Sequence, residues 1–186
     1  MKKITLILMF FAAVALFGFD KTSAKAADDM NNAANHLSNT ENTNLNADNQ
    51  KAPNFTLIDT QGKKVSFSDF KGKVVIVDFW ATWCPPCRRG IPDLIAIKKE
   101  YKNKVVIIGI SLDLDTKKDV IPFIKNYGIN YPVVYGNNEV VQAYGNIEAI
   151  PTSFVIDKNG KIVNQHVGLT PKETYINEIK KLLGKS

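Results

Sequence analysis

Cys84 and Cys87 are the only cysteines in 186 residues. They stand three positions apart in FWATWCPPCRRG, Phe79 to Gly90. Two thiols at that spacing read as a redox pair, half of a metal site or a structural staple. The staple is the weakest of the three, because a disulfide stabilises through the loop it closes and this loop constrains almost nothing in the unfolded chain. The metal reading is short of ligands. A structural zinc site takes four, and the chain offers two Cys and two His, His36 and His166. His36 falls in an Asn-rich segment and reads as solvated; His166 reads as a strand-end residue. Copper(I) can be held by two thiolates, so a copper carrier stays as the alternative, without a Met-rich or His-rich tract to support it.

The elements around the pair decide which chemistry is open to it. Val74 to Trp80 is a near-continuous apolar run after Gly72, which suits a strand buried on both faces, with Asp78 interrupting it. Pro85 to Tyr101 reads as a helix, with a kink expected at Pro92. Cys84 therefore falls where a buried strand ends and a helix begins, and Cys87 lies one turn on, beside it. First-turn N–H groups lack intrahelical partners and carry the positive end of the helix dipole, so both favour a thiolate at Cys84. Pro85 and Pro86 cost little in a first turn and stiffen the short ring that a Cys84–Cys87 disulfide would close. Arg88 and Arg89 either add positive charge there or are exposed helix residues.

Along the rest of the chain, NFTLIDTQGKKVSF reads as a hairpin around Thr60-Gln61-Gly62. VVIIGISL is a second buried strand. TKKDVIPFIKNYG is a helix ending at Gly128, YPVVY a short strand, and NEVVQAYG a short helix stopped by Gly145. TSFVIDKNGKIVNQHV is a hairpin turning at Asn159-Gly160. The last helix has Thr170 as N-cap, Pro171 at the first position, Glu173 completing a capping box, and Gly184 as its end. Strands alternating with helices predict an α/β fold, a parallel sheet covered on both faces, with the late hairpin adding antiparallel strands.

The N-terminus reads as an export signal over residues 1–26. Lys2 and Lys3 precede an apolar run from Ile4 to Phe19, and Ala24-Lys25-Ala26 has the form of a cleavage site. The rival reading is an uncleaved anchor, and either places the domain outside the cytoplasm. Residues 27–50, rich in Asn and Asp, read as a disordered spacer, and residues 51–186 as one domain. The formal charge of +6 divides into −1 over residues 1–50 and +7 beyond. The lysines are scattered without a long basic run, so the reading is a solvated surface and no nucleic-acid partner.

The stretch VDFWATWCPPC resembles the active-site strand and helix of the thioredoxin superfamily. Together with GISLD, YGINYPVVYG and IPTSFVIDKNGKIV, the chain from Lys51 to Leu183 resembles TlpA/ResA-like extracytoplasmic thiol–disulfide oxidoreductases. The resemblance implies a thioredoxin fold, a mixed sheet flanked by helices, with an N-terminal β-hairpin and a central inserted β–α element. It implies Cys84 as attacking and Cys87 as resolving thiol, Trp83 as a flanking indole that shields the site, Pro85 and Pro86 within the motif, Pro151 as a cis-proline facing the disulfide, and Ile150 as a contact to substrate backbone. The implied activity is thiol–disulfide exchange, with the cysteine pair as the redox group and no other cofactor or metal. Its direction is not set by the motif, and the match of Asp78 and Ile150-Pro151-Thr152 to reducing thioredoxins favours reduction of protein disulfides. The implied partners are exported proteins such as apocytochrome c and a membrane electron donor, and the chain is expected to act as a monomer. Two residues depart from the family pattern. Gly90 stands where CxxCxxE would place Glu, which weakens the cytochrome c maturation role. Asp78 stands where many relatives carry Asn. It reads either as a structural carboxylate satisfied by nearby donors or, favoured by the thioredoxin-like spacing of six before Cys84, as a buried acid that handles protons for the cysteines. A thiol peroxidase is the remaining alternative, and Ala81, Thr82 and Trp83 before Cys84 do not match its pattern.

Overall fold

The computed structural model describes residues 50–184; the expected export segment and all but the end of the expected spacer lie outside them. β-Branched residues dominate two runs, and both become central strands: β3 (Val74–Trp80) and β4 (Val105–Ser111), with every residue buried. The five-stranded sheet has the order β5-β4-β3-β6-β7, where β5 is Val133–Tyr135, β6 Thr152–Ile156 and β7 Ile162–Val167. β3 runs parallel to β4 and antiparallel to β6. A separate hairpin, β1 (Thr56–Ile58) and β2 (Lys64–Ser66), precedes a short 3-10 helix, Phe67–Phe70.

Side chains alternate across β3, and so they build two cores. Val74, Ile76 and Trp80 pack with α1 (Pro85–Tyr101), α2 (Lys117–Tyr127) and α4 (Lys172–Gly184), through Ile91, Leu94, Val120 and Ile179. Val75, Val77 and Phe79 pack with Phe55 and Leu57 of the hairpin segment and with Val140 and Tyr144, from α3 (Asn138–Ala143) and its C-cap. Helices thus cover both faces, as expected. β5, which follows α2, adds to the sheet edge beside β4.

Two local expectations are corrected. The β6–β7 turn is not a two-residue Asn-Gly turn; the connection runs from Asp157 to Lys161. Asp157 Oδ1 accepts the N–H groups of Asn159 and Lys161, and Gly160 sits at φ 80°. A carboxylate that satisfies two turn amides makes the longer turn the favourable one. α4 starts at Lys172, and the Thr170 hydroxyl donates to the Gly168 carbonyl instead of capping the helix.

Candidate active site

The register of the sheet assembles the site. β3 delivers the chain at Trp80 into the turn Ala81–Cys84, and Cys84 becomes the N-cap of α1. The pairing Phe79↔Thr152 sets the start of β6 beside the end of β3, so Ile150 and Pro151 arrive next to the cysteines. The pairing Trp80↔Ser111 does the same for the end of β4, and brings Asp113 against the turn.

Cys84 and Cys87 are joined as a disulfide, and both are 3% exposed. Cys84 Sγ accepts the Cys87 N–H at 3.2 Å, one of the first-turn amides that a thiolate would use. The same sulfur lies 3.7 Å from the Ile150 carbonyl, and the Ile150–Pro151 bond is cis. Trp83 is 58% exposed beside the pair; Pro85 is exposed and Pro86 half-buried. Arg88 turns away from the sulfurs: its Nε donates to the Tyr127 hydroxyl at 2.9 Å and its guanidinium lies over the Phe123 and Tyr127 rings. Its charge ties α1 to α2.

Asp78 sits on the helical face of β3, 4% exposed. Burial withholds water from its charged form and pushes its pKa from 3.8 up to about 7. A cavity of about 20 Å³, room for one water, joins Asp78 to Cys87. Its walls also include Gly90, Pro151, Leu169 and Tyr175, so a side chain at position 90 would face the same space. A Cβ on Gly90 would meet Leu169 Cδ1 at 3.2 Å, the movable end of a side chain. An oxidisable thiol pair, an acid that titrates near neutrality and a one-water gap between them can carry out thiol–disulfide exchange with its proton transfer.

A protein-family model described as Redoxin matches residues 47–183. The chain belongs to the redoxin family. This redoxin is 41% identical over 135 residues to the thiol-disulfide oxidoreductase ResA of Bacillus anthracis, covering 72% of this chain and 77% of that one. It is 36% identical over 127 residues to the thioredoxin-like protein YneN of Bacillus subtilis, covering 67% and 74%. A thiol:disulfide interchange protein from Chlorobium tepidum has a similar structure, with a TM-score of 0.67 and 37% identity over 73% of this chain and 97% of that one. StoA from Bacillus subtilis aligns with a TM-score of 0.59 and 26% identity over 69% and 97%. The fold is thioredoxin-like and the protein is a thiol–disulfide oxidoreductase.

The site residues named from sequence, Cys84, Cys87, Asp78, Pro151, Trp83, Pro85, Pro86 and Ile150, all gather at the C-terminal end of β3. His166 does not join them. Its Nε2 meets Glu178 at 3.0 Å, and its ring stands edge-on to Tyr175. Three residues of the cavity wall, Leu169, Thr170 and Tyr175, were not read as site residues in the sequence, where Thr170 read as a helix cap; nor was Asp113. None stands near the motif in the chain, and only the sheet register brings them there.

Proposed function

We propose that this redoxin reduces disulfides of exported proteins outside the cytoplasm, with Cys84 as nucleophile and Cys87 as resolving thiol. The basic and apolar N-terminal sequence supports the location, and the cavity shared by Asp78 and Cys87 carries the mechanism. In the reduced protein the Cys84 thiolate, stabilised by the first-turn amides, attacks one sulfur of a substrate disulfide. That S–S bond breaks, and one substrate sulfur leaves as a thiolate and takes up a proton. A mixed disulfide now joins Cys84 to the other substrate sulfur. Cys87 passes its proton to Asp78, directly or through one water, and attacks Cys84 Sγ. The mixed disulfide breaks, the second substrate sulfur leaves as a thiolate and takes up the proton released from Asp78 or one from solvent, and the Cys84–Cys87 disulfide seen here remains. Two electrons per cycle must then come from an external dithiol donor, which we place in the membrane; the cysteine pair needs no further cofactor. Apocytochrome c is one substrate of the fitting class.

Substrate trapping tests the roles. Cys87→Ala, expressed with its export segment, should accumulate mixed disulfides with exported proteins on Cys84, visible on non-reducing gels. Equal adducts on Cys84→Ala would reverse the assignment of the two thiols.

A further inference from the structure

Among the described residues Asp113 is the other buried carboxylate, 2% exposed, in the loop between β4 and α2, where it holds the turn that leads to Cys84. Its carboxylate accepts from four donors. The Thr82 N–H lies 3.2 and 3.0 Å from its two oxygens, the Thr82 hydroxyl donates at 2.5 Å, the Ser111 hydroxyl at 2.8 Å and the Thr116 hydroxyl at 2.6 Å. The Leu112 N–H also donates to the Trp80 carbonyl at 2.8 Å. The turn that presents Cys84 is therefore fastened to the loop between β4 and α2 at Trp80 and Thr82.

None of the four donors is charged. Two basic side chains of the adjoining helices are engaged elsewhere: Arg88 on Tyr127, and Lys117 over the Tyr135 ring at 4.2 Å. The carboxylate is thus met by neutral donors only, against a turn in which Thr82 and Cys84 are two residues apart, no more than about 7 Å between Cα atoms. Asp78 approaches the pair from β3, on the Cys87 side. A negative charge against this turn opposes the thiolate that the helix N-terminus favours. Destabilising the thiolate destabilises the dithiol relative to the disulfide, which makes the reduced protein a stronger electron donor.

We propose that Asp113 is a positioning residue that fastens the Ala81–Cys84 turn and, through its buried charge, biases the cysteine pair toward the disulfide. The proposal deepens the reading of this redoxin as a reductant and rests on it. It adds the source of part of the reducing power: a carboxylate outside the CPPC motif.

The test is the equilibrium of the Cys84–Cys87 pair with glutathione, alongside the pH profile of Cys84 alkylation. Asp113→Asn keeps the shape and an acceptor and removes the charge. It should shift the equilibrium three- to tenfold toward the dithiol, which is about 15 to 30 mV less reducing, and move Cys84 alkylation to lower pH. Thr82→Val and Thr116→Val leave the charge and remove one neutralising hydroxyl each. They should shift the equilibrium the other way or leave it unchanged, and they carry the test if Asp113→Asn does not fold. A folded Asp113→Asn with the wild-type equilibrium overturns the proposal. So does a valine variant that moves toward the dithiol, since geometry and not charge would then set the balance. A wild-type pair as oxidising as that of a dedicated protein oxidant, about −120 mV, would instead overturn the reductant reading, whatever the variants do.

Discussion

Asp78 holds its proton to about pH 7 because β3 keeps water away from it. The unfolded chain releases that proton near 3.8. Between these values the native state binds more protons than the unfolded one, so stability falls as pH rises from about 4 to about 7 and then levels off. The gap, converted at about 1.4 kcal/mol per pH unit, is on the order of 4 kcal/mol for this fully buried group. That is far more than the 0.3 to 1 kcal/mol a helix dipole typically supplies. Asp78→Asn should remove the slope: denaturant unfolding of the oxidised protein would match wild type at pH 4 and exceed it at pH 8. The same variant should slow the resolving step by about 10²-fold or more at pH 7 and above, where wild-type Asp78 is free to accept a proton. The rates should converge below pH 5. Wild-type and variant pH–rate profiles that overlay would leave Asp78 a structural residue. Because position 90 borders the same cavity, Gly90→Glu in the Asp78→Asn background should restore part of the rate, with Leu169 giving way. No recovery would mean that a carboxylate at 90 cannot reach Cys87.

At the scale of elements, the two hairpins share one turn. Asp59 and Asp157 each lead a D-x-x-G-K sequence, and each carboxylate accepts the N–H groups two and four residues on. Gly62 and Gly160 take the positive φ that the turn requires, 82° and 80°. Asp59→Ala and Asp157→Ala should each cost about 1 kcal/mol in unfolding free energy and leave the redox equilibrium alone. A loss of several kcal/mol would mean the carboxylates carry more than the turns. This device explains what the sequence left hidden. Asn159-Gly160 signals a turn by local chemistry, but its length depends on where the Asp157 side chain reaches. The order of strands and helices was legible throughout, since apolar runs and glycine stops are local signals; α1 even begins and ends where its composition says it should. The cysteines were legible for the same reason, being an i, i+3 pair at a strand–helix junction. Asp113 was not. An acid just after a strand reads as a turn residue, and its partner Thr82 stands 31 positions away.

Across the described residues, a lysine-lined cleft lies apart from the cysteines. The cysteines lie beyond the C-terminal end of β3, while Lys51, Lys71, Lys73 and Lys158 line a cleft of about 480 Å³ at the other end. Seven strand residues at about 3.3 Å each separate the ends by some 20 Å, more than two Debye lengths at physiological salt. Lys71→Glu with Lys158→Glu should therefore change disulfide reduction of a neutral peptide by less than about twofold at 0.15 M salt. A larger change would show that the far end touches the substrate. The fastening of the active-site turn by Asp113 also sets a clock. The Thr82 amide belongs to a connection between elements, where amide hydrogens ordinarily exchange with solvent in the fastest class. This one is held by a buried carboxylate and can exchange only when the turn lifts away. In a hydrogen–deuterium experiment it should rank with the amides of β3, and it should join the fast class in Asp113→Ala. One slow hydrogen in a loop then counts how often the turn carrying the nucleophile comes loose.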